Sequence, residues 1–132
     1  MPNGTVKVLA VEDWAVQRQL LVEVMTSLGH ELHLAATGSV AEEKLNQNEY
    51  DLIITDLDLP DISGYRVIQT AEEKHPDVPV IVVTGCDIRT EPQRFNDNVR
   101  KVILKPYSVN ELKHTIAASV EQSRQAEVET EN

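Results

Sequence analysis

Short apolar runs alternate along the chain with segments whose apolar residues recur every three or four positions. Runs rich in Val, Ile and Leu are typical of strands that are buried on both faces of a sheet. The strands predicted in this way cover residues 5–11, 31–35, 51–55, 78–84 and 101–104. The pattern therefore predicts five strands that are separated by helical segments.

The first helical segment has a regular apolar stripe. Val16, Leu20, Val24 and Leu28 lie four residues apart, and Gly29 follows directly. A glycine just past the last apolar position is the usual end of a helix, because it adopts the left-handed conformation without strain. We therefore predict an amphipathic helix that ends at Gly29.

Capping signals mark the start of two more helices. Ser39 and Glu42 have the spacing of a capping box and predict a short helix through Leu45. Ser108 and Glu111 repeat this spacing in front of the last helix. The apolar face predicted for that last helix comprises Val109, Leu112, Ile116 and Val120.

The remaining two helical segments differ in quality. Residues 65–74 form a regular pattern that closes before Pro76, whereas residues 86–98 contain Pro92 and a poor apolar stripe. We expect this fourth helix to be short or irregular. Five strands that alternate with helices predict the α/β class: a flavodoxin-like, doubly wound, five-stranded parallel sheet with helices on both faces.

Length and charge narrow the range of functions. The chain has 132 residues, a length that predicts one domain, here over residues 1–125. Residues 126–132 are acidic and polar, which predicts a disordered tail, and the net charge of the whole chain is −10. The negative charge argues against direct contact with nucleic acid or an anionic membrane. A single cysteine, Cys86, and the lack of a signal-peptide pattern lead us to expect a cytoplasmic protein.

Side chains suited to phosphoryl chemistry follow four of the predicted strands. They are Glu12 and Asp13, Asp56, Thr84, and Lys105. Because the carboxyl ends of parallel strands share one edge of the sheet, we expect these side chains to lie close together. Crowded carboxylates need a cation, and Mg²⁺ prefers such oxygen ligands. One carboxylate can then attack phosphorus to form an aspartyl phosphate, with the hydroxyl and ammonium groups beside the phosphoryl oxygens.

Four motifs in the chain match the sequence pattern of a known family: VKVLAVED, DLIITDLDLPDISG, VPVIVVTG and VILKP. Together they resemble the receiver domains of two-component response regulators, over residues 5–122. The resemblance implies that a histidine kinase or a histidine phosphotransfer protein phosphorylates Asp56. It also implies that Mg²⁺ is bound by Glu12, Asp13, Asp56 and the main-chain carbonyl of Asp58.

The resemblance further implies how the signal is passed on. Thr84 would move toward the phosphoryl group and Lys105 would pair with it, so that an interaction face switches for a downstream protein. The Lys105–Pro106 peptide is a candidate cis bond. Phosphorylation and slow dephosphorylation of the chain itself, rather than turnover of an outside substrate, would be its chemistry, and a homodimer is compatible with this role.

Three positions depart from the family pattern. Val102 stands where many receivers have an aromatic switch residue, the segment 86–98 is irregular, and Asp58 places an acid two residues beyond Asp56. Trp14 follows the acid pair as either a packing residue or a lid over the phosphorylation pocket. These departures motivate a phosphorylation-independent, receiver-like binding module as one alternative.

A second alternative comes from a different class of protein. Asp56 and Asp58 also resemble the nucleophile and general acid/base of haloacid-dehalogenase-like phosphohydrolases, which use a Thr or Ser and then a Lys in the same order. In those hydrolases the remaining acid pair follows the lysine. Here the pair Glu12 and Asp13 precedes the nucleophile, which argues against this interpretation.

Overall fold

The computed structural model of the chain describes residues 5–85, 95 and 97–131, with side chains to residue 121. The strands are β1 (Lys7–Val11), β2 (Glu31–Ala35), β3 (Leu52–Asp56), β4 (Val80–Thr84) and β5 (Val99–Leu104). The helices in this part of the chain are α1 (Ala15–Leu28), α2 (Gly38–Gln47), α3 (Gly64–Lys74) and α4 (Val109–Glu131). The irregular helix expected within residues 86–98 lies mostly outside the described residues.

The five strands form one sheet in the order β2-β1-β3-β4-β5, and every neighbouring pair is parallel. The chain runs from β1 outward to β2 and then crosses to β3, so the direction of winding reverses between β1 and β3. This confirms the doubly wound, flavodoxin-like fold. Because all strands point the same way, their carboxyl ends share one edge, which is where ligands bind in such sheets.

Side chains of the strands alternate between two hydrophobic layers. One layer joins strand residues such as Val8 and Ala10 to the buried faces of α1 and α4. The other joins Leu9 and Val11 to α2 and α3. The helices therefore cover both faces of the sheet, as predicted, and the central strands β3 and β4 are buried throughout.

The apolar stripe predicted for α1 is only partly buried. Leu21, Val24 and Met25 are buried, whereas Val16 is 77% exposed. A strict spacing of four residues drifts by about 40° at each step around a helix with 3.6 residues per turn. Residues 16 and 28 therefore cannot share one face. The end of the helix was predicted correctly, since Gly29 has φ of 77°.

The start predicted for α2 was displaced from its real position. The N-cap is Thr37, whose hydroxyl accepts a hydrogen bond from the Val40 amide at 3.1 Å. Ser39 lies inside the helix and therefore cannot be its N-cap, and the Glu42 carboxylate accepts a hydrogen bond from Arg66 of α3 at 2.9 Å. That ion pair helps to hold α2 against α3.

The last helix begins as predicted and extends further than expected. The Ser108 hydroxyl accepts a hydrogen bond from the Glu111 amide at 3.0 Å. The helix continues to Glu131 and so includes most of the segment that we expected to form a disordered tail. Ala, Glu and Gln are strong helix formers, and their propensity opposes the effect of the acidic charge. The domain boundary near residue 125 remains a prediction.

Candidate functional site

Backbone hydrogen bonds hold the site residues at the carboxyl edge of the sheet. The Glu12 amide donates to the Ala35 carbonyl at 2.9 Å, and the Lys105 amide donates to the Thr84 carbonyl at 2.8 Å. These bonds continue the β1–β2 and β4–β5 pairings by one residue beyond the strands. Glu12 and Lys105 are therefore fixed by the sheet itself, although each follows its strand.

Lys105 connects two carboxylates that come from distant parts of the sequence. Its Nζ lies 2.7 Å from Asp56 Oδ2 and 2.9 Å from Glu12 Oε1. Both acids are buried, at 6% and 3% exposure. Burial of a carboxylate is costly unless it is paired, and the single ammonium pairs with both. The prediction that these side chains lie close together is confirmed for all three.

The remaining oxygens of the two acids are held by the main chain. Asp56 Oδ1 accepts a hydrogen bond from the Asp58 amide at 3.0 Å, and Glu12 Oε2 accepts one from the Trp14 amide at 3.2 Å. Arg18 donates to the Glu12 carbonyl at 3.0 Å. The orientation of each carboxylate is therefore set by contacts at both of its oxygens.

The site has the composition of a divalent-cation site. Carboxylate oxygens of Glu12, Asp13 and Asp56 all lie within 4.8 Å of one another. Asp13 is half-buried and the other two acids are buried, and three hard oxygen donors match the preference of Mg²⁺, which binds few carboxylates and keeps several waters. Thr84 is fully buried at the end of β4 and completes the predicted set along this edge.

Burial and pairing shift two pKa values at the site. Burial raises the pKa of Glu12 above its ordinary value, although the hydrogen bonds from Lys105 and Trp14 act against this shift. Burial works to lower the pKa of Lys105, but the hydrogen bonds to Asp56 and Glu12 outweigh it and raise that pKa. Lys105 therefore carries its charge at neutral pH.

Gly64 packs closely against the site, a role that the sequence did not predict. A Cβ at this residue would collide with the main-chain atoms of Asp56 and Leu57. The Gly64 amide also donates to the Leu57 carbonyl at 3.0 Å. The first turn of α3 thus packs directly on the backbone that carries Asp56. Its position just after the N-cap Ser63 was the available signal.

A cavity of about 350 Å³ lies beside the site, with Lys105 as a shared wall. It is lined by Trp14, Gln17, Leu20, Lys105, Pro106 and Tyr107. The Tyr107 hydroxyl donates to Gln17 Oε1 at 2.9 Å, which ties the segment after β5 to α1. The Trp14 side chain is 66% exposed and lines this neighbouring cavity. The Lys105–Pro106 peptide is cis, as expected.

Val102 occupies the position at which many receivers have an aromatic switch residue. It packs at the border of the hydrophobic layer formed with α2 and α3, as do Tyr65 and Phe95. The rings of Tyr65 and Phe95 are stacked, with centroids 5.7 Å apart and an angle of 17°. An aromatic pair is therefore present on this side of the domain, although residue 102 is aliphatic.

The sequence model of the response regulator receiver domain matches residues 8–117, which is most of the chain. The chain belongs to this family. Receiver domains accept a phosphoryl group and bind Mg²⁺ in an acidic pocket, and they are not enzymes that turn over an outside substrate. The hydrolase alternative therefore lacks support, in agreement with the acid pair at Glu12 and Asp13 that precedes Asp56.

Relatives of this receiver occur within much longer proteins. It is 32% identical over 123 residues to the luminescence regulatory protein LuxO of Vibrio campbellii, covering 92% of this chain and 27% of LuxO. It is 30% identical to the sensor histidine kinase RcsC of Salmonella typhi, covering 92% of this chain and 13% of RcsC. The chain thus spans a small part of these proteins.

A solved structure supports both the fold and the family. The response regulator TrrA of Thermotoga maritima, crystallised in complex with Mg²⁺-BeF, is 28% identical with a TM-score of 0.76. The match covers 86% of this chain and 97% of TrrA. Across the described part of the receiver, no helix has both the length and the apolar character that a membrane span requires.

Proposed function

We propose that this receiver accepts a phosphoryl group on Asp56 in a Mg²⁺-dependent reaction and thereby switches a protein-interaction face. The observation that carries the proposal is the contact of Lys105 Nζ with both Asp56 and Glu12, at 2.7 and 2.9 Å. These contacts place a fixed cation beside the carboxylate that would react. The complex of the related TrrA with Mg²⁺-BeF supports the same role.

The groups proposed to hold Mg²⁺ are the side chains of Glu12, Asp13 and Asp56 and the main-chain carbonyl of Asp58. When bound, the ion would offset the negative charge of these acids and of the incoming phosphoryl oxygens. The crowding of the three carboxylates within 4.8 Å is the reason to expect a cation of this charge.

The protein's own contribution is a positioned nucleophile and two stabilising groups. A carboxylate oxygen of Asp56 attacks the phosphorus of the donor, and the bond to the donor's leaving group breaks, so that the electron pair stays with that group. Lys105 balances charge on the phosphoryl oxygens, and the Thr84 hydroxyl donates a hydrogen bond to one of them. Water later attacks the phosphorus of the aspartyl phosphate slowly, which returns the carboxylate and releases inorganic phosphate.

We propose that the switch acts through Thr84 at the end of β4. A phosphoryl group adds charge and strong acceptor oxygens, and the hydrogen bond from Thr84 would favour one of two arrangements of the interaction face. Because Val102 is aliphatic, the proposed switch cannot use an aromatic side chain at that position. The face so altered would bind a downstream protein or a second copy of the receiver.

The donor is proposed to be a histidine kinase or a histidine phosphotransfer protein in the cytoplasm. RcsC is a sensor histidine kinase and LuxO is a regulatory protein, and this receiver resembles a segment of each. The net charge of −10 supports a protein partner rather than nucleic acid or a membrane surface.

Intact-mass measurement tests the proposal directly. The receiver is incubated with a small phosphodonor, with and without Mg²⁺, beside the Asp56→Asn variant and an Asp51→Asn control. We expect one phosphoryl adduct in the parent and the control, and none in the variant or when Mg²⁺ is chelated. An equal adduct in Asp56→Asn would overturn the assignment of the site. A parent that never forms an adduct would favour the phosphorylation-independent binding module.

A further inference from the structure

The N-terminus of α2 is capped in part from outside its own segment. The Gly38 and Ser39 amides donate to the two carboxylate oxygens of Asp61, at 2.9 and 3.0 Å. The Val40 amide donates to the Thr37 hydroxyl at 3.1 Å. The helix therefore takes one side-chain cap from its neighbour in sequence and another from a residue more than twenty positions away.

Asp61 lies in the loop that leads from Asp56 to α3. Its Oδ1 also accepts a hydrogen bond from the Ile62 amide at 2.8 Å, so one carboxylate links the loop to the helix. The Ile62 side chain occupies the space where a Cβ of Gly38 would stand. The middle of the loop is thus attached to α2 by both polar and apolar contacts.

The two ends of the same loop are attached to the phosphorylation site. At one end the Asp58 amide donates to Asp56 Oδ1 at 3.0 Å. At the other end Gly64 packs on the main chain of Asp56 and Leu57. Among the side-chain hydrogen bonds described here, those to Asp61 link the loop to α2, outside the segment formed by β3, the loop and α3.

We propose that Asp61 is a positioning residue for the metal-binding loop: by anchoring residues 57–63 to α2, it holds the main chain of Asp58 in place before Mg²⁺ binds. This inference rests on the proposed function, because it concerns the same Mg²⁺ site. Without the anchor, the loop would be held by fewer contacts, so more of its ordering would take place when the ion binds, and the ion's affinity would fall by that cost.

The charge of Asp61 suits this task. A carboxylate offers acceptor oxygens to two amides at once, and a negative group is favoured at the N-terminus of a helix. The Ser39 hydroxyl and the amides of Ile62, Ser39 and Gly38 hold the pKa of Asp61 well below its usual range. The anchor therefore stays charged throughout the neutral and mildly acidic range.

Thr37 provides a matched control, because its hydroxyl caps the same helix through the Val40 amide, within the segment of α2 itself. Asp61→Ala, the milder Asp61→Asn and Thr37→Ala are compared with the parent in three measurements. These are Mg²⁺ affinity by calorimetry, urea unfolding, and amide hydrogen exchange of residues 57–64 in the metal-free protein. Asn keeps one acceptor oxygen and so retains part of the anchor.

We expect Asp61→Ala to weaken Mg²⁺ binding by about tenfold, the lower end of the effect of residues that orient metal ligands. Hydrogen exchange of the loop should speed up, and Asp61→Asn should fall between Ala and the parent. Thr37→Ala should lower the urea midpoint and leave Mg²⁺ affinity and loop exchange unchanged. Unchanged affinity in both Asp61 variants, or an equal loss in Thr37→Ala, would refute the inference. A parent that binds no Mg²⁺ would instead overturn the proposed function, and the inference with it.

Discussion

The contact of Lys105 with two buried acids leads to a sharp prediction about stability. Replacing Lys105 with Met keeps much of the side chain's length and removes the ammonium that pairs with Asp56 and Glu12. Loss of one partner from a buried ion pair costs about 3–5 kcal/mol, because the remaining charge is left uncompensated. The Lys105 side chain is 24% exposed, so solvent offsets part of this cost and we expect about 3 kcal/mol.

The assay is thermal and urea unfolding in the presence of a chelator, with Lys101→Met as control, since Lys101 is exposed on the same strand. A loss of this size corresponds to a fall in Tm of roughly 10 °C for a domain of this length. The control should stay within about 0.5 kcal/mol of the parent.

Added Mg²⁺ gives a second readout of the same reasoning. The ammonium and the metal ion compete for the same carboxylates, so Mg²⁺ should stabilise Lys105→Met more than it stabilises the parent. An ion present at 100 times its Kd stabilises by about 2.7 kcal/mol, which would restore most of the loss. A metal-free variant as stable as the parent, or an equal gain from Mg²⁺ in both proteins, would refute the argument.

Three further predictions concern stability. Gly64→Ala should lower the free energy of unfolding in urea by about 1–3 kcal/mol, because the new Cβ meets main-chain atoms that cannot move aside. Gly85→Ala is the control and should not cause this loss, because a Cβ there has open space around it. In metal-free protein, the raised pKa of Glu12 means that the folded state holds this proton more tightly than the unfolded state. The contribution of Glu12 to the free energy of unfolding is therefore greatest below pH 4.5 and is lost as the pH rises through the raised pKa. Glu12→Gln should flatten the plot of urea midpoint against pH in this range, and an unchanged slope in the variant would contradict the prediction. Leu112→Ala should cost about 2–5 kcal/mol in urea, whereas Val109→Ala, at a 39% exposed position, should cost far less, and equal losses would show that the helix face is misassigned.

The order of elements could be predicted from sequence because burial imposes it locally. The β2 bounds agree fully with the prediction, and each bound of β3 lies one residue later than predicted. The edge of the sheet that carries Asp56, Thr84 and Lys105 followed from the parallel arrangement alone. These features depend on residues near one another in sequence, or on a rule that holds for every parallel sheet.

The features that could not be predicted depend on contacts between distant segments. The anchor from Asp61 to Gly38 and the ion pair of Glu42 with Arg66 each join parts of the chain that lie more than twenty residues apart. A local motif cannot reveal which of several acids will cap a given helix. For this reason Ser39 looked like a cap in sequence, while Thr37 and Asp61 fill that role.

The separation of the hydrophobic side chains into two layers has a mechanical consequence. The sheet works as a partition, and a larger side chain at Leu45 must find room among α2, α3 and the strand residues on that side. The layer around Leu112 lies on the opposite face of the sheet and cannot make room for it. The packing of each layer can therefore change independently of the other, while the reacting groups stay fixed to the sheet between them.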